Sequence, residues 1–495
     1  MPSQDPTTGL HLDNQFAREV QGMSVRWQPA AAPMPHWLQF NDALAQELGL
    51  DVQALRGDAG LEVFSGRRVP EGAEPVAQAY AGHQFGHYSP RLGDGRALLL
   101  GEIIDPAGQR FDLALKGSGP TPFARNGDGK AAVGPVLREF LVGEAMHALG
   151  VPTTRVLAAV ATGEPVRRER ALPGAVLARV AASHLRVGSF EYAARTKDAA
   201  LLGRLAEHAI ARHAPYLQGQ PQRHLGLLEL VVERQARLIA QWMGLGFIHG
   251  VMNTDNMTIS GQTIDYGPCA FMEHFDPDQV FSSIDDGGRY AWANQPAIAH
   301  WNLSRLAETL LPLIDDNADR AAELATAVIG KFETQLSAHW LALLRSKVGL
   351  PDGTDAADRL ATEFLHLMQR YEVDYTLGWR RLGDAAAGNE APLRALFGEH
   401  AAAPDDWLAR WRAMFGTTPE AERAQAMAKV NPMVIPRNYQ VELALEAATD
   451  YDDLGPFERL LDEVRRPFEA REDSNPYIQP ATREETASYR TFCGT

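Results

Sequence analysis

A lysine, a glutamate and a loop of histidine, asparagine and aspartate stand in one order along this 495-residue sequence, at spacings that suit phosphate chemistry. Lys116 closes the apolar run LALKGSG. A lysine ending a buried strand faces a cleft more readily than open solvent, and its ammonium can pair a phosphate. Glu139 follows 23 positions on, within GPVLREFLVGEAMHALG, where it can hold that lysine. Upstream, LGDGRALLLGE offers Gly93, Asp94, Gly95 and Arg96. Glycines before a strand let backbone approach a phosphate closely, and an arginine there can pair with it. Asp-Gly is equally a plain hairpin signal. Downstream, HGVMNTDN sets Asn256 seven positions after His249, and Asp265-Tyr266-Gly267 comes next. Asn256 and Asp265 offer the oxygen donors that magnesium or manganese takes.

Taken together, the four pieces resemble the glycine-rich loop, lysine–glutamate pair, catalytic loop and metal-binding D-F-G of a protein kinase. One position departs. Val251 stands where a kinase carries its catalytic aspartate, and valine cannot take a proton. Asp255 is the nearest carboxylate that could replace it. The residues leave three readings open: a pseudokinase that only binds ATP, an atypical γ-phosphoryl kinase using Asp255, or different chemistry from a rearranged site.

These groups need a β-rich unit followed by a helical one. RALLLGEII and RFDLALKG, separated by DPAGQ, predict a β-hairpin, and GPVLREFLVGEAMHALG predicts the helix carrying Glu139. VLAAVATGE and GAVLARVAA predict further strands, and TISGQTIDYG a short hairpin returning Asp265 beside Asn256. From Ser183 onward the spacing is helical, as in LLELVVERQARLIAQWMGLG. The expected fold class is therefore α+β, a protein-kinase-like two-lobed fold. Its parts are an N-terminal extension (1–75), a β-rich N-lobe (76–183), a helical C-lobe (184–448) and a tail (449–495).

Composition narrows the partners. With 47 basic and 63 acidic residues the net charge is −16, which disfavours nucleic acid. No apolar run reaches the roughly 18 residues of a membrane span. MPSQDPTTGL has no basic-then-apolar pattern, and two cysteines, Cys269 and Cys493, make no disulfide scaffold, so a reducing cytoplasm is expected.

The longer motifs AYAGHQFGHYSPRLGDGRALLLGEI, LALKGSGPTPFAR, GFIHGVMNTDNM, IDYGP and NPMVIPRNYQ resemble the selenoprotein O family, also called YdiU-like, from about Phe40 to the C-terminus. The resemblance implies a kinase-like fold that holds ATP flipped, and transfer of AMP to Ser, Thr or Tyr hydroxyls of proteins with release of pyrophosphate. It leaves open whether UMP is also transferred. Carried over, it implies that Gly93, Gly95, Arg96, Asp128 and Gly129 contact the nucleotide. Lys116 binds phosphate and pairs with Glu139, and Arg179 and Arg186 clamp phosphates. Asp255 accepts the proton, and Asn256 and Asp265 hold Mg²⁺ or Mn²⁺. His83 and Gln84 belong to the pattern without an assigned role; metal ligation and a hydrogen-bonded loop are both open. Cys493 sits where some members carry selenocysteine, which points to redox partners or a transient disulfide with Cys269, against an idle tail thiol.

Overall fold

The computed structural model describes residues 4–487 and 489–492. Eight strands make one antiparallel sheet: β1 (Ser24–Arg26), β2 (His36–Phe40), β3 (Val76–Gln78), β6 (Ala97–Ile104), β7 (Arg110–Lys116), β8 (Ala131–Ala132), β9 (Arg155–Arg167) and β10 (Ala171–Ala181). Their order is β1-β3-β6-β7-β10-β9-β2, with β8 pairing on β10. Two short strands, β4 (Gly82–Gln84) and β5 (His87–Ser89), form a hairpin of their own. The expected hairpin is present: β6 and β7 pair with Leu98 opposite Leu115 and Ala97 opposite Lys116.

Register decides which side chains meet. Across β7 and β10, Lys116 lies opposite Leu177 and Ala114 opposite Arg179. Because side chains alternate between faces, Lys116 and Arg179 leave the sheet on the same face. The helix Val133–Ala148 covers that face and brings Glu139 with it. It is stapled from behind by Phe140, whose ring meets Phe457 with centroids 6.2 Å apart. Burying such a ring stabilises by about 1.5–3 kcal/mol.

After Ala181 the chain is mostly helical, with long helices at Val187–Ala194, Leu201–His213, Arg223–Leu245 and Gln295–Ile314 around a shared apolar core. Two more two-residue strands, β11 (Phe247–Ile248) and β12 (Ala270–Phe271), pair and bracket the loop that holds Asp255 and Asp265. The chain is thus mixed α/β, with strands before helices.

Three details differ from the sequence reading. β1 and β2, inside the segment 1–75, pair with β3 and β9, so the line at 75 cuts through the sheet. Residue 449 falls inside the helix Asn438–Asp450, and the next helix, Gly455–Val464, packs its buried Phe457, Leu460 and Leu461 with Leu137 and Leu141 of the Glu139 helix. Finally, TISGQTIDYG is a turn, not a hairpin. Thr258 bridges to Arg186 and Thr263 to Thr153, and the Ile259 and Thr263 N–H groups donate to the Leu185 and Pro152 carbonyls, so the segment's ladder pairing is with distant segments.

Arg437, from NPMVIPRNYQ, is fully buried. It donates to Glu273 and, at 2.6 Å, to Asp374, fixing the C-terminal region to the segment after β12. Among the described residues, no helix is long and apolar enough to cross a membrane.

Candidate active site

The sheet, the Val133–Ala148 helix and the loops after β11 enclose a cleft of about 480 Å³. Every site residue expected from the sequence lines it. At its floor Lys116 Nζ donates to Glu139 Oε2 at 2.6 Å and also to Asp265 Oδ1. Arg179 Nη1 donates to Glu139 Oε1 at 3.1 Å and to Asp265 Oδ1 at 3.5 Å. Two cations and two carboxylates therefore neutralise each other in a square whose Arg179 and Glu139 are buried and whose Lys116 and Asp265 are partly open to the cleft. Burial alone would raise the Asp265 carboxyl, but the Lys116 ammonium and the Arg179 guanidinium outweigh it and hold it well below the ordinary carboxylate range.

This square predicts coupling. Removing one member leaves an uncompensated charge among the other three, whereas removing two opposite charges together does not. Lys116→Met with Glu139→Gln is expected to cost less stability than the two single changes summed, by about 1–3 kcal/mol, in a denaturation cycle. Additive costs would mean that the pair contributes nothing.

Behind the square stands a set that sequence reasoning missed. Arg179 Nε donates to His184 Nε2 at 3.1 Å, and His184 Nδ1 faces Asp112 Oδ2 at 3.1 Å. Burial pushes the His184 imidazole below its usual value, so the neutral ring accepts from Arg179 and donates to Asp112. Arg212 holds the other Asp112 oxygen at 2.7 Å. Arg179 and His184 are five positions apart, but only the β7–β10 register, with Ala181 opposite Asp112, brings Asp112 to them.

Asp255 sits on the opposite wall, in a single 3-10 turn, Thr254–Asn256. Its Oδ1 has no hydrogen-bond partner among the described residues, and Gln84 Nε2 reaches Oδ2 only at 3.5 Å. Gly82 packs so closely that a β-carbon there would lie 2.7 Å from Oδ1. Burial pushes the Asp255 carboxyl up to about 6, partly offset by Arg186 and reinforced by the Asp265 charge. Arg186 donates to the Asp255 carbonyl at 3.0 Å and stacks 4.3 Å over the Tyr80 ring. Tyr80 was not expected from the sequence; its neighbours in AYAGHQFGH were the signal.

His83 takes the hydrogen-bonded role. Its ring Nδ1 bonds Glu191, its backbone N–H donates to Thr254 Oγ1 at 2.7 Å, and Thr254 Oγ1 donates to Glu191 at 2.6 Å. The β4–β5 hairpin is thereby tied to the turn that carries Asp255.

At the mouth, Gly93 has φ 70°, and a β-carbon there would meet the Phe123 ring at 2.4 Å, so only glycine fits. The Asp128 carboxylate is exposed and paired with Arg168 at 2.9 Å, leaving the Asp128–Gly129 backbone and Arg168 itself to face the cleft.

This geometry meets its relatives in sequence. The family described as protein adenylyltransferase SelO matches residues 6–465. The chain is a member of the SelO family. A protein nucleotidyltransferase YdiU from Mycobacterium sp. (strain KMS) is 57% identical over 490 residues, 99% of this chain and 100% of that protein. Its namesake from Cereibacter sphaeroides (strain ATCC 17029 / ATH 2.4.9) is 56% identical over 487 residues, 98% of this chain and 100% of its own length. One from Rhizobium etli (strain CIAT 652) is 53% identical over 494 residues, 99% of this chain and 98% of its own. The resemblance drawn from the motifs is therefore shown across nearly the whole chain.

For a SelO family member, the oxygen donors of the cleft suit a hard divalent cation. Asn256 directs its Nδ2 to the Val251 carbonyl at 3.0 Å, which leaves the amide oxygen as an acceptor, and Asp265 is held ionised. Among the described residues, no three His, Cys, Asp or Glu side chains gather as a metal cluster. Two protein oxygens completed by nucleotide phosphates is the arrangement magnesium favours. The Cys269 thiol is buried and pushed up to about 11 by that burial, so it is unreactive as it stands. Cys493 lies outside the described residues.

Proposed function

We propose that this chain, through a protein-kinase-like two-lobed cleft, transfers AMP from ATP to hydroxyl groups of proteins. The observation that carries the reading is the placement of charge. Val251 leaves the usual base position apolar, while the Asp255 carboxylate, with one oxygen unpartnered, shares the cleft with three cations: Arg186, which holds its backbone carbonyl, and Lys116 and Arg179 at the floor. Membership of the SelO family supports the same chemistry.

In this reading the triphosphate lies along the cationic wall. Gly93, Gly95 and Gly129 let backbone approach it, and Arg96 and Arg168 close over it from the mouth, with Asp128 fixing Arg168. Arg179 and Arg186 hold the β- and γ-phosphates, positioned by His184 and by Tyr80. Lys116, kept in place by Glu139, contacts phosphate. Asn256 and Asp265 would hold Mg²⁺ or Mn²⁺, which when bound neutralises phosphate charge. A Ser, Thr or Tyr oxygen attacks the α-phosphorus and its proton passes to the Asp255 carboxylate. The bond from the α-phosphorus to the bridging oxygen breaks, and pyrophosphate leaves with that electron pair, its growing charge met by the arginines. Cys493 supplies a thiol for an external redox partner.

Intact mass of the protein and of candidate substrates after incubation with ATP and Mg²⁺ tests the reading. An AMP increment is expected. A phosphate increment would restore the γ-phosphoryl kinase, and binding of ATP without any increment across a broad protein set would favour the pseudokinase that Val251 suggests.

A further inference from the structure

We propose that the rim of the cleft beside the β4–β5 hairpin docks acidic residues flanking the target hydroxyl of the protein substrate. The inference rests on protein-directed AMP transfer and names the substrate class that this site would select.

The rim is physically continuous with the catalytic wall. Phe85, at the hairpin turn, and Ile284 both line the cleft mouth, and Ile284 is 50% exposed. Phe85 has φ 50°, in the left-handed region, and is held there because its N–H donates to Asn253 Oδ1 at 3.0 Å. Asn253 also accepts from the Tyr290 hydroxyl at 2.7 Å. This rim lines the same cleft as Asp255, and it is fixed to the Asp255 turn through Asn253 and Thr254.

Two guanidiniums border it. Arg195 lies 4.0 Å from the centroid of the Tyr88 ring, and Arg289 lies 5.3 Å from that of Trp301. The two rings are joined through His83, at 5.0 Å and 5.2 Å. Arg289 also lies under the hairpin tip, 3.7 Å from where a β-carbon of Gly86 would be. Among the described residues, neither Arg195 nor Arg289 is paired with a carboxylate side chain. The nearby Asp285 is engaged elsewhere, accepting the backbone N–H groups of Arg289 at 2.9 Å and Tyr290 at 2.7 Å.

A guanidinium stacked on an aromatic face keeps its N–H edge in the ring plane. In Arg195, which is exposed, that edge is open to a bidentate carboxylate, whereas Arg289 also hydrogen-bonds the Tyr290 side chain and offers its remaining N–H groups. In a chain of net charge −16, unpaired cations at the entrance to a site are a local exception that would counter the general repulsion of an acidic partner. A basic substrate segment would be turned away by the same two charges.

The test compares two fluorescent peptides, each with one serine, flanked by glutamates in one and by lysines in the other. Binding to the full chain is followed by fluorescence anisotropy with Mg²⁺ and an ATP analogue that cannot be cleaved at the α-phosphate. The acidic peptide is expected to bind at least about tenfold tighter, with affinity falling as salt rises. Arg195→Glu with Arg289→Glu should abolish or reverse that preference. Arg195→Gln with Arg289→Gln should reduce it, and serves if charge reversal disturbs the fold. Equal binding of the two peptides, or a preference unchanged in both double variants, overturns the docking surface. Transfer from α-labelled ATP to extract proteins is measured alongside. If it persists while the peptide preference is absent, only the docking inference fails; if it is absent while the preference stands, only the transferase reading fails.

Discussion

Asp265→Ala is expected to lower AMP transfer by at least about a thousandfold while leaving the chain folded. Asp265 is the point where the two cations of the cleft floor converge: Lys116 and Arg179 both end on its Oδ1. Without it, both cations close on Glu139 alone, one carboxylate facing two positive charges. Lys116 is then pulled toward the Val133–Ala148 helix and away from the phosphates. The same change removes the ionised oxygen expected to hold the cation. Asp265 also has φ 66°, so the backbone carries it in a conformation that side chains rarely adopt, as functional groups under constraint often do. Asp265→Asn keeps the shape and removes only the charge. A loss in that variant within about tenfold of the loss in Asp265→Ala would assign the effect to charge. Turnover near that of the native chain in either variant, measured by labelled AMP incorporation with the melting transition as a control for folding, would remove Asp265 from the site.

Asp255→Asn should reduce turnover by about 10²–10⁴-fold, the usual contribution of a positioned base, with ATP affinity changed no more than about threefold. The pH dependence follows from burial. With the carboxyl at about 6, Asp255 is protonated and unable to accept a proton below that value, and competent above it. The plot of kcat/KM against pH should therefore rise through a limb near 6, and the residual activity of Asp255→Asn should lack that limb. Stability carries the opposite sign. A carboxyl raised in the folded state favours folding when protonated, so its contribution is fully present below about 4 and is lost as pH rises through about 6. At pH 8 Asp255→Asn should melt above the native chain, and at pH 4 the gap should close. A kcat and an ATP affinity that fall together would make Asp255 a binding group instead.

Much of this site was legible because its chemistry is written in local order. The β6–β7 hairpin, the helix carrying Glu139 and the spacing of His249, Asn256 and Asp265 each depend on neighbours a few positions away, and each produces a pattern that periodicity or turn chemistry exposes. The Lys116–Glu139 pair was readable because a strand end and the following helix have few ways to meet. What stayed hidden depends on register between distant segments. Arg179, His184 and Asp112 align only once β7 and β10 pair, and His83 finds Glu191 only when the β4–β5 hairpin lies on the 3-10 turn at Thr254–Asn256. β1 and β2 were missed for another reason: strands of three and five residues are too short for an alternation to register. The turn at Thr258–Thr263 was misread as a hairpin because its sequence suits one, while its flanking backbone bonds run to Leu185 and Val187 on one side and to Pro152 and Thr154 on the other.

The central claim is that the α-phosphorus of ATP is the one attacked. Two parallel incubations decide it, each with the full chain, Mg²⁺ or Mn²⁺ and a broad set of proteins, one with ATP labelled at the α-phosphate and one with ATP labelled at the γ-phosphate. Label is expected on protein only from the α-position, with pyrophosphate released in step and with both signals lost in Asp265→Ala. Protein labelled from the γ-position and not from the α-position would contradict the account.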